Sequence, residues 1–215
     1  MLFRSATGDG LAMALRAGAE LQDLEFVQFH PTALYVAGAS RALISESLRG
    51  EGAVLRNRAG ERFMPGYHPD AELAPRDTVS RCIVQEMKRT GDAYVLLDVT
   101  GKSRRQLEER FPTITRLCDE FELDVAEDMI PVRPAAHYQV GGVVVDMQGR
   151  TNVENLLACG MMITSDHEAH MSTRNTVCCM GQGQAAGTAA AMCAERGCAT
   201  RELPYAALRD ELEAG

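Results

Sequence analysis

The spacing of apolar positions changes period several times along the chain, and each change predicts an element. After the turn signal Gly8-Asp9-Gly10, residues Leu11, Ala12, Met13, Leu15 and Ala19 are spaced for a buried helix that stops near Gly18. Residues 24 to 30 alternate as a strand that ends at Pro31, and residues 40 to 50 read as helix or turn. Residues 53 to 57 form a strand, from which Arg58-Ala59-Gly60 closes a hairpin onto Glu61-Arg62-Phe63. A helix follows over 77 to 89 with Val79, Ile83 and Met87 as its apolar stripe; Asp77 near its start and Lys88 and Arg89 near its end suit the macrodipole. The pattern continues with a strand over 93 to 98, then helices over 104 to 111 and 114 to 121 broken by Pro112. Strands at 140 to 146 and 156 to 159, an Ala-rich helix over 184 to 196 and an amphipathic helix over 205 to 212 complete it. Strands therefore flank a helical stretch and resume near Tyr138, which predicts an α+β chain with one domain interrupted by another.

Composition narrows the function classes. The 215 residues are 46% hydrophobic with a formal net charge of −8, which excludes disorder and removes any electrostatic case for nucleic acid or an anionic membrane. No apolar run approaches the roughly 18 residues needed to span a bilayer. Seven cysteines without a C-x-x-C pair, and no signal peptide, point to a reducing cytoplasm with thiols packed mostly as small hydrophobes. The opening Met1-Leu2-Phe3-Arg4-Ser5 matches the translation of a common sequencing-adapter end, so it reads as an assembly scar on a protein that extends upstream. A short natural start is the alternative.

Three constellations could carry chemistry. In Gln28-Phe29-His30-Pro31-Thr32 a histidine stands at a strand end beside a φ-fixing proline, although a lone histidine is more often a hydrogen-bonded structural residue. In Glu72-Leu73-Ala74-Pro75-Arg76-Asp77 the proline sets Arg76 at a helix start, where the bland reading is an ion pair with Asp77 or Glu72. In Arg133-Pro134-Ala135-Ala136-His137-Tyr138 a second histidine precedes Gly141-Gly142. Two imidazoles and a bidentate guanidinium match a small dicarboxylate. Other signals are weaker. Gly181-Gln182-Gly183-Gln184-Ala185-Ala186 fits G-x-G-x-x-A but lacks the strand before it and the acidic residue after it; it reads better as close-packed glycines opening a helix. His167-Glu168-Ala169-His170 falls one residue short of a zinc motif, so no metal is expected. Cys178-Cys179 reads as a buried apolar helix start more readily than as a redox pair.

Six motifs occur in one order: Ala6-Thr7-Gly8-Asp9-Gly10, Gln28-Phe29-His30-Pro31-Thr32, Glu46-Ser47-Leu48-Arg49-Gly50-Glu51-Gly52, Glu61-Arg62-Phe63-Met64, Glu72-Leu73-Ala74-Pro75-Arg76-Asp77 and Pro134-Ala135-Ala136-His137-Tyr138. Together, over about residues 6 to 157, they resemble the L-aspartate oxidase family within the succinate dehydrogenase and fumarate reductase flavoprotein superfamily. The resemblance implies an FAD enzyme of NAD biosynthesis, oxidising L-aspartate to iminoaspartate. It implies a capping domain over residues 30–137, inserted in an FAD-binding α/β domain contributed by 1–29 and 138–215, with the dinucleotide-binding segment missing. It implies that His30, Ser45, His137 and Arg174 orient the substrate carboxylates, that Arg76 handles protons, and that Glu46 and Arg49 support it. Thr7, Gly8, Asp9, Gly160, Gly181 and Gly183 would contact the FAD. After about residue 150 the chain departs from that family: Cys159-Gly160-Met161 replaces Ala-Gly-Glu, and the last part is similar to another group of FAD-dependent oxidoreductases. A junction between two genes near that point is one reading. The alternatives in function are a fumarate or succinate flavoprotein acting on the same class of dicarboxylate, and a catalytically empty fragment that keeps the cap fold.

Overall fold

A computed structural model describes residues 7–39 and 42–214. The opening residues, Met1 to Ala6, lie outside the described residues. The chain forms two compact units, one from Met1–Val27 with Gln139–Gly215 and the other from Gln28–Tyr138.

The Gln28–Tyr138 unit is built on a four-stranded sheet in the order β2-β5-β4-β3. Its strands are β2 (Val27–Leu34), β3 (Val54–Arg56), β4 (Val95–Asp98) and β5 (Ile130–Gln139). β4 pairs antiparallel with β3 (Leu55↔Leu97) and with β5 (Val95↔Val132). Alternation sends Val95 and Leu97 inward. There they meet Val79 and Ile83, one turn apart on helix α3 (Arg76–Thr90), and Leu55, Met64 and Ile130 in one core. Pro75 precedes the first turn of α3 and Gly91, with φ 77°, closes its last. Helix α4 (Arg104–Arg110) opens on a Ser103/Gln106 capping box. Pro112 stands at the first position of α5 (Pro112–Asp119), so the proline starts the second helix. Helix α2 is only the four residues Ser47–Gly50.

The expected stop of the first strand at Pro31 is corrected, since β2 runs through Pro31 to Leu34. β2 is the end strand of the sheet, where a missing N–H interrupts no central ladder. On its outer side, among the described residues, it takes local bonds, Ile44 N–H to Thr32 O (2.9 Å) and Leu34 N–H to Ala42 O (2.8 Å).

In the other unit, helix α1 (Asp9–Arg16) is followed by β1 (Leu21–Gln22), which pairs antiparallel with β6 (Gly142–Val143). A Cβ on Gly142 would lie 2.2 Å from the Met162 carbonyl oxygen, so only glycine lets the backbones approach this closely. Helices α6 (His167–Thr173), α7 (Thr176–Arg196) and α8 (Tyr205–Ala214) follow. Two small cores serve this unit, one around Ala14, Ala19, Val143 and Ala158, the other around Ala189, Met192, Cys193 and Leu203.

Three expectations are corrected here. The 140–146 strand shrinks to two residues because Asp146 Oδ1 takes the N–H groups of Gln148 and Arg150 (both 2.9 Å) into a turn. The 156–159 strand is reduced to one bridge, Arg150↔Leu157, with Asn155 at φ 61° just before it. The long helix begins at Thr176, eight residues before the Ala-rich run. Its early turns are therefore not a buried apolar start: Cys178 is exposed and Val177 is 80% exposed.

Candidate active site

The chemistry-bearing side chains of the Gln28–Tyr138 unit gather at one end of β2. Period-two alternation puts Gln28, His30 and Thr32 on one face of the strand. His30 is 4% exposed, and its ring lies edge-on to that of His137 on β5, with centroids 5.5 Å apart. The Thr32 N–H donates to His30 Nδ1 (3.2 Å), while the Thr32 hydroxyl donates to Ile44 O (2.7 Å). Because Nδ1 accepts, a neutral ring carries its proton on Nε2, leaving an N–H donor for a ligand. Burial, reinforced by the positive charge of Arg76 and by His137, pushes His30 down to about 4. It is therefore neutral at pH 7.

Arg76, the first residue of α3, donates through Nε to Glu46 Oε2 (2.5 Å) and through Nη1 to Gln28 Oε1 (3.4 Å). Glu46 also pairs with Arg49 Nη2 (3.5 Å), so one carboxylate bridges two guanidinium groups. The Arg76 hydrogen bond holds Glu46 below the usual carboxylate range, and Glu46 in turn raises Arg76. Arg49 is buried, and its Nη1 donates to Glu72 O (2.5 Å). The expected partners of Arg76 are corrected: Asp77 pairs with Arg81 (2.6 Å), and Glu72 with Arg62 Nη2 (2.5 Å). Glu72 also accepts the Leu55 N–H (3.0 Å), fixing the segment before α3 to β3. Ser45 follows the 42–44 segment, and its Oγ accepts the Ser47 N–H (3.2 Å). Two participants were not singled out from sequence, Gln28 as a partner of Arg76 and Thr32 as the donor to His30. Strand alternation from His30 would have found both.

The remaining expected residues belong to the other unit. Gly8 caps α1 at φ 77° with open space where a Cβ would stand, and no side chain caps this helix. Thr7 Oγ1 donates to Asp9 Oδ2 (2.8 Å), and both residues are exposed. Gly160, at φ 80°, donates its N–H to Gln182 Oε1 (2.7 Å). Arg174 is the C-cap of α6. The reading of Gly181 and Gly183 as close-packed glycines opening a helix is corrected. They lie inside α7 and not at its start, and a Cβ on either would meet nothing within 4 Å, so they are not close-packed. A helix interior also has its N–H groups engaged, so this G-x-G-x-x-A run is no phosphate-binding turn.

Among the described residues no group of three or more His, Cys, Asp or Glu could hold a metal ion, and no helix is long and apolar enough to cross a membrane.

Comparison with known proteins gives two family matches, one described as FAD binding domain over residues 1–177 and one described as FAD dependent oxidoreductase over residues 147–212. Curated relatives include L-aspartate oxidase of Pseudomonas aeruginosa, 49% identical over 80% of this chain and 32% of its own length. That of Acinetobacter baylyi is 50% identical over the same shares of the two chains. The chain thus spans about a third of the length of these relatives. Among solved structures, E. coli quinol fumarate reductase FrdA matches with TM-score 0.74 and 31% identity, over 97% of this chain and 38% of that one. Mycobacterium smegmatis Sdh1 in complex with UQ1 matches with TM-score 0.66 and 32% identity, over 99% and 36%.

Proposed function

Since the chain belongs to the FAD binding domain family, we propose that it forms the dicarboxylate-binding and flavin-contacting part of an enzyme that oxidises L-aspartate to iminoaspartate. The observation that carries this reading is the grouping of His30, His137 and Arg76, with Glu46 holding the guanidinium. The names of the relatives support aspartate as the substrate. In this reading residues 30–137 are the capping domain, and 1–29 with 138–215 belong to the FAD-binding domain of a cytoplasmic enzyme.

Bound FAD would supply the acceptor for the hydride that leaves the substrate α-carbon. Thr7, Gly8, Asp9 and Gly160 fit contacts to such a group. The amino end of α1 carries no capping side chain, and Gly8 leaves open space beside it. His30 offers a neutral Nε2–H to one carboxylate oxygen, and His137 and Ser45 complete the orientation of the dicarboxylate. Arg76 has Nη donors beyond its Gln28 bond for the reacting end of the substrate, while Glu46 fixes its plane through Nε. That pair, with Arg49 behind it, is the proton-handling group.

Binding and turnover test the reading separately. Titration with L-aspartate should shift the imidazole NMR signals of His30 and His137 together, and Arg76→Ala should abolish the shift. An unchanged pair of signals overturns the site. In the FAD-loaded enzyme that contains these residues, anaerobic L-aspartate should bleach the flavin and yield iminoaspartate. Bleaching by succinate and not by aspartate would establish the alternative, a succinate or fumarate flavoprotein, which the structural relatives favour. Bleaching by neither would leave a catalytically empty cap.

A further inference from the structure

We propose that Cys193 and Cys198, at the carboxyl end of α7, are a modification site at which a hydroperoxide forms a reversible disulfide. Helix α7 ends on Gly197 in the left-handed conformation, φ 62°, and the Cys198 N–H returns to Cys193 O at 3.1 Å. That is the 6→1 bond of a Schellman motif, in which the side chains at these two positions ordinarily meet in apolar contact. Here both are thiols, and Cys198 is near enough to raise the Cys193 thiol. A 6→1 turn brings its end residues to about the Cα separation that disulfides span, roughly 4.4–6.8 Å.

Access and space are also present. Both cysteines line an open pocket of about 280 Å³ whose other walls include Asn155, Ala190, Ala194 and Thr200. Asn155 Oδ1 accepts the Thr200 N–H (3.0 Å), which ties the 197–200 turn to the opposite wall. Cys198 is half-buried and Cys193 buried, which assigns the order of events. The Cys198 thiolate attacks the peroxide, the O–O bond breaks, and the departing hydroxide is protonated to water, leaving a sulfenic acid. The Cys193 sulfur then attacks the Cys198 sulfur, the S–O bond breaks, and the Cys193 proton leaves with the hydroxide as a second water. Two thiols and one hydroperoxide give one disulfide and two waters (or a water and an alcohol). Burial and the Cys198 neighbour raise the Cys193 thiol, which suits the resolving partner and not the attacking one. Four of the other five cysteines differ: Cys82 and Cys118 are buried in the other unit, and Cys178 and Cys179 are adjacent, where a bridge is strained.

Arg196 lies between the two thiols, so trypsin separates them into different peptides, and only a disulfide keeps residues 197–201 attached. The folded 215-residue chain, treated with hydrogen peroxide, alkylated and digested, should yield peptide 197–201 linked to the peptide that contains Cys193, and dithiothreitol should release it. Cys193→Ser should abolish the link, whereas a Cys178→Ser/Cys179→Ser variant should retain it fully. Recovery of peptide 197–201 unlinked, while other cysteines have been consumed, overturns the proposal. So does a link that survives Cys193→Ser.

Discussion

At the scale of single residues, Arg76 and His30 separate the functional reading from a merely structural one. Arg76→Lys in the FAD-loaded enzyme should lower kcat and kcat/KM together, by ~100-fold or more, because an ammonium cannot donate in a fixed fork to both Glu46 and substrate. Steady-state kinetics on aspartate check this, and a rise in KM alone would make Arg76 a carboxylate anchor. His30 also makes a pH statement. Its folded value of about 4 lies below the ordinary 6.5, so the unfolded chain binds the proton more readily between those limits. Stability should be complete above pH 6.5 and fall as the pH drops toward 4, by about 2–3 kcal/mol in urea melts. His30→Gln, which cannot charge, should flatten that window. Glu86 acts lower on the scale. It is buried among Asn57, Tyr67 and Arg89, and the Arg89 hydrogen bonds first of all hold it down to about 2. Its contribution is therefore lost only as the pH falls from 4.5 toward 2. Glu86→Ala should cost about 2–3 kcal/mol at pH 7 by leaving its partners without an acceptor.

Among the elements, two glycines should respond to substitution for different reasons. Gly91→Ala meets only the strain of a left-handed residue in open space and should cost ~1 kcal/mol. Gly142→Ala drives a Cβ onto the Met162 carbonyl and should cost ~3 kcal/mol or more, with loss of the β1–β6 pair in hydrogen exchange. The same local rules explain which elements were legible in the sequence. Helix α3 was readable to within a residue at each end, because its stripe, its preceding proline and its closing glycine all agree. β2 was cut short at Pro31, because the proline rule depends on a strand's place in the sheet, which spacing does not reveal. The start of α7 was missed because Thr176 to Gly183 carries no apolar stripe, and tertiary context overrode weak propensity. In the site, the six ordered motifs marked the candidate residues and put Glu46 beside Arg76, thirty positions apart in the chain. Neighbour logic, which pointed to Asp77 or Glu72, has no means of finding a contact at that range.

For the molecule as a whole, the glycine-rich turn that cradles a dinucleotide pyrophosphate is absent from these 215 residues, and the one approximate match lies inside α7. The chain by itself should therefore release FAD on gel filtration, and a yellow, stoichiometric peak would refute this. The course of the chain through its two units has a kinetic corollary. Tyr35 N–H donates to Pro131 O (2.9 Å) and Val140 N–H to Phe26 O (3.0 Å), so β2 and β5 run side by side in opposite directions. An excursion of more than a hundred residues thus leaves and returns through neighbouring strands. Once the Gln28–Tyr138 unit has folded, the two distant pieces of the other unit are tethered as if by a tight hairpin. The loop-closure entropy that would otherwise oppose their meeting has already been spent. Pulse-labelled hydrogen exchange should then show amides of β3, β4 and α3 protected before those of β1, β6 and α7. The long insertion would act in folding as a clasp that brings its own flanks together.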